Sequence, residues 1–325
     1  MNSSALELAV SQHVQASLTD LDRDLSLQEK NPRIDRVLRS TVLSGGKRLR
    51  PLVTYLWADL FGVDHATITP FAKVAEFTHA ATLAHDDVID NADTRRGVPS
   101  INIVASNKKA VLAGDYLLAH SLQIVADFGN NVLVKALAQT ISDLAEGEWL
   151  QIENTFNTKL KRADIDRVAL KKTGSVLRWC CQAAPLFLGL EPEVTDKVKE
   201  FGEKLGLAFQ MSDDVLDFKR RDGSEYADLK NKLMNSVIYE AWQQEKQAET
   251  IDANECLNKS FPDKHLNTAI ERVQKRTRLL LDECRQILNN LSESLMQRSD
   301  ELRNKTTQRA THSLNIIIDI LEHRV

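Results

Sequence analysis

Apolar residues return every three or four positions along almost the whole chain, and no strand-like alternation lasts more than a few residues. That period predicts helices throughout. The first covers residues 6–27 and ends near Asn31-Pro32, a turn signal. A second, 34–43, stops at Ser44-Gly45-Gly46. Pro51 falls in the first turn of the next helix, where its missing N–H costs nothing, and that helix reaches Phe61. Thr69-Pro70 then introduces a long apolar helix over 71–91. After a loop at Arg95-Arg96-Gly97 and Pro99, helical spacing resumes over 108–126, 131–154, 164–189 and 193–218. Ala183, Ala184 and residues 186–190 are almost wholly apolar, which predicts a helix buried on several sides. The tail, 230–325, is more charged but still helical, with a break at Phe261-Pro262. No linker rich in Gly, Ser or Pro divides the chain, and no period of a solenoid appears. One all-helical domain over 1–325 is therefore expected, with the tail able to pack as a semi-separate layer.

Composition narrows the fold further. Glycine (12) and proline (7) make 19 of 325 residues, about 6% against roughly 12% in average usage. Sandwiches, barrels and doubly wound sheets need more turn residues than that. Lys plus Arg is 42 and Asp plus Glu is 46, a net charge of −4 with no polybasic block, so nucleic acid is not the expected partner. The cysteines lie at 180, 181, 256 and 284 without a CxxC, which suits a reduced, cytoplasmic setting. The first residues lack the basic flank and cleavage site of a secretory peptide, and the apolar runs are too short for a membrane span.

The sharpest chemical feature is Asp86-Asp87-Val88-Ile89-Asp90, late in the long apolar helix after Phe77, Ala80, Ala81, Leu83 and Ala84. Asp86 and Asp90 stand four apart on one helix face. Like charges at that spacing destabilise a helix unless a cation lies between them. Hard oxygen ligands of this kind suit Mg²⁺, which takes one or two carboxylates together with substrate phosphates. A lone pattern of this sort is more often a solvated acidic face. This one recurs, however, as Asp213-Asp214-Val215-Leu216-Asp217 at the end of a second apolar helix. Two such sets can face each other across a cleft and hold several Mg²⁺ ions around a diphosphate.

Cations complete the pattern. Gly45-Gly46-Lys47-Arg48-Leu49-Arg50 sets basic residues beside a flexible turn and a helix N-terminus, which favours anions. Arg95-Arg96-Gly97 lies five residues beyond Asp90, and Lys171-Lys172-Thr173-Gly174 offers another phosphate-sized set of donors. Each is weak alone, because most basic clusters are ordinary surface. Together with the acidic motifs they describe a site for two diphosphates.

The segments GGKRLRP (45–51), EFTHAATLAHDDVIDNADTRRG (76–97), KTG (172–174) and FQMSDDVLD (209–217) resemble the sequential motifs of the trans-isoprenyl (polyprenyl) diphosphate synthases. LNIIIDILEHR (314–324) is similar to that family's last helix. The resemblance implies an all-α bundle around a deep central cavity, usually a homodimer, that joins isopentenyl diphosphate to an allylic diphosphate head to tail. It implies three Mg²⁺ ions, with Asp86 and Asp90 holding two and Asp213 the third, and with Asp87, Asp214 and Asp217 in support. Lys47, Arg50, His79 and Arg96 match isopentenyl diphosphate ligands. Arg95, Lys172, Thr173 and Gln210 match residues around the allylic substrate. Residues 218–232 depart from the family pattern: they are about four residues short and lack its first Gly-Lys pair.

Product length should follow from the helix before Asp86. Ala81 and Thr82, one turn back, are small where short-chain members of the family carry aromatic groups. Phe77 and Thr78 lie one turn deeper, and the Phe77 ring either acts as a stop or turns outward into packing. A product of twenty carbons or longer is expected. Two other readings compete with an active synthase. The short 218–232 segment fits a catalytically weak subunit serving a heteromeric partner. A terpene cyclase also uses an aspartate-rich motif, but it has no second diphosphate to occupy Lys47, Arg50, His79 and Arg96.

Overall fold

The computed structural model describes residues 10–25, 31–95, 97–154, 159–219, 233–246, 261–297 and 300–324. Its helices are α1 (Gln12–Asp24), α2 (Pro32–Ser40), α3 (Leu49–Phe61), α4 (His65–Ile89), α5 (Ile101–Val104), α6 (Asn107–Ala126) and α7 (Asn131–Asn154). They continue with α8 (Arg162–Ala169), α9 (Ser175–Phe187), α10 (Pro192–Lys219), α11 (Ser236–Lys246), α12 (Asp263–Met296) and α13 (Glu301–Arg324). The expectation of an all-α bundle is met. Among the described residues the only sheet is a two-residue antiparallel pair, Thr94–Arg95 with Val98–Pro99, inside the expected loop.

Local chemistry sets the boundaries. The Asn31 side chain accepts from the Ile34 N–H at 3.3 Å and Pro32 takes the first turn of α2, so the Asn31-Pro32 signal starts a helix as well as ending a turn. Helix α4 begins six residues before its expected start, at His65. Asp64 caps it by accepting from the Thr67 backbone and hydroxyl at 2.9 and 2.6 Å, and burial of His65 and Ile68 holds this first turn despite Pro70. The segment expected as one helix over 164–189 is α8 and α9 joined by a π-helical turn, Leu170–Gly174. The tail breaks at Pro262 as expected, and again between α12 and α13. There Arg303 on α13 donates to the carbonyls of Asp59 and Leu60 at 3.0 and 2.7 Å, satisfying the C-terminal end of α3.

Helices α3, α4 and α9 form the centre of the larger apolar cluster. In α9, Val176, Leu177, Trp179, Cys180, Cys181, Ala183 and Ala184 are all buried, as its all-round apolar sequence requires. The Trp179 indole donates to the Phe71 carbonyl at 3.3 Å, and Trp57 meets the Phe201 ring edge-on at 5.0 Å. A second cluster gathers Met211, Val215, Ile238, Trp242, Phe261 and Val273 under the tail. Helix α10 feeds both clusters, Leu205 and Ala208 into the first and Met211 and Val215 into the second. No helix among the described residues is long and apolar enough to cross a membrane.

Candidate active site

A cavity of about 580 Å³ lies between α4, α7, the π-helical turn and α10. On α4, His79, Thr82, Leu83, Asp86, Ile89 and Asp90 line it, a stripe at the three- and four-residue spacing of one helix face. Arg50, Lys172, Thr173, Gln210 and Asp214 add to its polar rim together with His85, Glu148, Gln151 and Asn235, while Leu118, Ile141 and Leu144 supply apolar wall. Nine of the expected residues are therefore gathered around one space.

Burial pushes the Asp86 carboxyl up to about 6, and the neighbouring charges of Glu148 and Asp90 add to this against the opposing pull of Lys172. Burial and Glu148 raise Asp90 as well. A cluster of carboxylates held at such cost calls for a cation. Among the described residues no three acidic, histidine or cysteine side chains converge closely enough to hold a metal alone. Asp86 and Asp90 are hard oxygen donors, the kind that Mg²⁺ takes together with phosphate oxygens and water.

The π-helical turn adds one residue to a helical circuit, a feature frequent at functional sites. It lets consecutive lysines bond different parts of α7: Lys171 reaches Asp143 at 2.9 Å and Glu146 at 2.7 Å, while Lys172 pairs with Glu148 and donates to Gln151 at 3.0 Å. Thr173 donates to Gln210 Oε1 at 2.9 Å, Gln210 Nε2 donates to Asp214 at 3.0 Å, and the Ser236 N–H caps the other Asp214 oxygen at 2.9 Å. Two glycines let these segments approach. A Cβ on Gly147 would fall 2.8 Å from Lys172 Cγ, and one on Gly206 would fall 2.4 Å from Gly174 Cα.

Several expected residues stand elsewhere. Asp87, matched to a supporting role in the metal motif, sits about 100° around α4 from Asp86 and is fully buried. It accepts from Arg95 Nε at 2.6 Å and from the Ile101 N–H at 3.4 Å, so it braces the loop that carries Arg95. Asp213 does not line the cavity; it pairs with Arg324 of α13 at 2.7 Å, and that guanidinium lies 5.3 Å over the Phe209 ring. Asp217 is buried outside the lining, and Lys47 lies in the turn before α3. Of the chain-length residues only Thr82 lines the cavity. Phe77, Thr78 and Ala81 are buried away from it, and Phe77 packs 5.7 Å from the His120 ring of α6. Arg96 and residues 220–232, which hold most of the departing segment, lie outside the described residues.

Glu148 and Gln151, which hold Lys172, are not among the residues expected from the sequence. Their signal is the run Glu146-Gly147-Glu148, acids around a glycine in an otherwise amphipathic helix. Arg48, one of the basic residues of the 45–50 turn, has a φ of 45° in the left-handed region, where a non-glycine residue costs roughly 1–2 kcal/mol. Arg48 donates to Asp22 at 2.5 Å, to Glu76 at 2.6 Å and to the Leu43 carbonyl at 3.0 Å. Burial works against its charge, but Glu76 and Asp22 outweigh that and hold its pKa above the usual value.

The cavity is walled by helices and rimmed by Asp86 and Asp90 at the end of α4 and by Arg50, Lys172, Thr173 and Gln210. The polyprenyl synthetase family model matches residues 31–273, three quarters of the chain, and the chain belongs to that family. It is 33% identical over 259 residues to solanesyl diphosphate synthase 1, chloroplastic, of Arabidopsis thaliana, covering 76% of this chain and 62% of that one. It is 32% identical over 210 residues to octaprenyl diphosphate synthase of Escherichia coli, covering 65% and 63%. The chain thus spans a little over three fifths of the length of these curated relatives. Among solved structures, the decaprenyl diphosphate synthase from Rhodobacter capsulatus superposes with a TM-score of 0.80 at 27% identity, over 99% of both chains.

Proposed function

We propose that the protein is a trans-prenyl diphosphate synthase, which condenses isopentenyl diphosphate with an allylic diphosphate head to tail and elongates the chain to twenty carbons or more. The observation that carries this reading is one cavity that joins a charged rim to apolar walls. Arg50 and His79 meet it from one side, and Lys172, Thr173 and Gln210 from the other. Family membership and relatives named for solanesyl, octaprenyl and decaprenyl products support the longer class.

In this reading the allylic diphosphate lies against Asp86, Asp90, Lys172, Thr173 and Gln210, and isopentenyl diphosphate against Arg50, His79 and Lys47; the match of Arg96 to the same substrate falls outside the described residues. Asp86 and Asp90 would hold Mg²⁺, and the family resemblance adds Asp213 for a third ion, which would require it to leave Arg324. Bound Mg²⁺ neutralises charge on the departing diphosphate. Lys172, steadied by Glu148 and Gln151, adds to that stabilisation without reorganising as the allylic C–O bond breaks. The cation left behind is shielded from water by Leu83, Leu118, Ile141 and Leu144. The isopentenyl double bond attacks it, a C–C bond forms, and a proton leaves to the released diphosphate. No side-chain nucleophile is needed. Among the described residues nothing favours the weak-subunit or cyclase readings; the short segment that fits the first of them lies mostly outside those residues. The direct test is incorporation of labelled isopentenyl diphosphate with each allylic starter, with and without Mg²⁺.

Asp86 must lose its proton to bind a cation. Its pKa of about 6 therefore predicts that Mg²⁺ affinity holds above that pH and falls below it, by about tenfold per unit. Titrations of Mn²⁺ by electron paramagnetic resonance between pH 5 and 8 read this directly, and an affinity flat across that range would contradict it.

A homodimer is part of the proposal. Its support is an apolar face on α6 and α7, where Leu112 is 64% exposed, Trp149 67% and Ile152 49%. Trp149 and Ile152 also line the cavity, so a second copy seated there would help close its side. Leu112→Glu is expected to shift sedimentation from dimer to monomer; an unchanged distribution would move the interface elsewhere.

A further inference from the structure

The turn between α2 and α3 reverses sharply, with positive φ at Gly45 (64°), Gly46 (106°) and Arg48 (45°). Glycine accepts such a conformation freely, whereas arginine does so only where its surroundings over-determine it. Three segments hold the Arg48 guanidinium. Asp22 comes from α1, the Leu43 carbonyl from the end of the α2 segment, and Glu76 from α4. The Arg48 side chain is only 12% exposed and that of Glu76 7%. Helix α3 starts at the next residue, so Arg50 enters the cavity wall from its first turn.

We propose that Arg48 is a positioning residue: anchored on buried Glu76 and locked by Asp22, it holds the Gly45–Leu49 turn in the shape that presents Lys47 and Arg50 to isopentenyl diphosphate. This rests on the synthase reading of the same site. Arg48 does not line the cavity and bonds neither Asp86 nor Asp90, although Glu76 ties it to the helix that carries them, so its effect should fall on the substrate held by Lys47 and Arg50. A bare ion pair cannot explain the strained backbone, because a glycine at position 48 would satisfy the fold more cheaply. The strain becomes intelligible when the guanidinium is needed as a three-point tether. The tether also makes α1, far along the chain from the acidic motifs, part of the substrate site.

The test is the double variant Arg48→Gly/Glu76→Gln. It keeps the left-handed backbone accessible, leaves no charge buried without its partner and preserves net charge, so any loss reflects geometry. Titration calorimetry with isopentenyl diphosphate should give an affinity lower by about tenfold, since small misplacements of clamping groups carry large penalties. In turnover, KM for isopentenyl diphosphate should rise by the same factor, while kcat and KM for the allylic substrate stay within about twofold. Unchanged isopentenyl diphosphate affinity, or equal losses for both substrates, would overturn the proposal. Calorimetry reads the turn independently of turnover, so an inactive wild-type protein would count against the synthase reading alone. If the double variant does not fold, Asp22→Asn at the exposed end of the tether serves. A loss of about twofold or more in affinity supports the proposal and no change overturns it.

Discussion

Asp86→Ala should lower turnover by several orders of magnitude and leave the protein folded, with a melting temperature at neutral pH equal to or above that of the wild type. The activity loss follows from removing one of two carboxylates on the cavity face of α4, where the departing diphosphate must be neutralised. The stability gain follows from the carboxyl's raised pKa of about 6, against an ordinary value of 3.8. Between these values the folded protein holds a proton that the unfolded chain has lost. The wild type therefore carries a charging penalty in full above about pH 6, and that penalty fades as pH falls toward 4. The melting-temperature difference between variant and wild type should be largest at pH 7–8 and vanish near pH 4. Asp213→Ala should also remove activity, but without a stability gain, because it strips Arg324 of a partner. That partly exposed pair contributes at most about 1 kcal/mol. A variant of either kind that turns over near the normal rate would end the metal-site reading.

Thr82→Phe should shorten the product to the fifteen-carbon class while leaving catalysis largely intact. Thr82 lies one turn before Asp86 and faces the cavity, so a chain growing away from the acidic rim along this wall passes it. A phenyl ring there removes space that no neighbouring backbone can restore, since cores deform little. Product sizing by reversed-phase chromatography after phosphatase treatment reads the outcome. A variant that folds, turns over and still makes the wild-type length would mean that the chain leaves by another wall, such as that of Leu118 and Ile141.

Much of this arrangement is legible in the sequence because helical period carries it. The Asp86/Asp90 pair reads as one face from spacing alone, and that face meets the cavity. The repeated acidic pattern, the KTG turn and the glycine-rich loop likewise have local signatures. What spacing does not reveal is rotation about the helix axis. Ala81 and Thr82 are neighbours in sequence, yet the second lines the cavity and the first turns away. Asp87 and Asp86 divide in the same manner, one bracing a loop and one facing the site. Long-range partners are also silent: nothing near Lys172 announces Glu148, 24 residues away, and nothing near Asp213 announces Arg324, 111 residues away. Pro70 misleads for a physical reason, since a buried, capped first turn outweighs one missing hydrogen bond.

The central claim is that one cavity breaks an allylic C–O bond and makes a C–C bond at the cation so formed. Its most direct test counts diphosphate released against isopentenyl diphosphate consumed, with product length followed in the same Mg²⁺-containing reaction. The account predicts one diphosphate for each isopentenyl unit joined, and product growing in five-carbon steps. Diphosphate released while isopentenyl diphosphate is left untouched, with alcohol or cyclic hydrocarbon as the product, would contradict it.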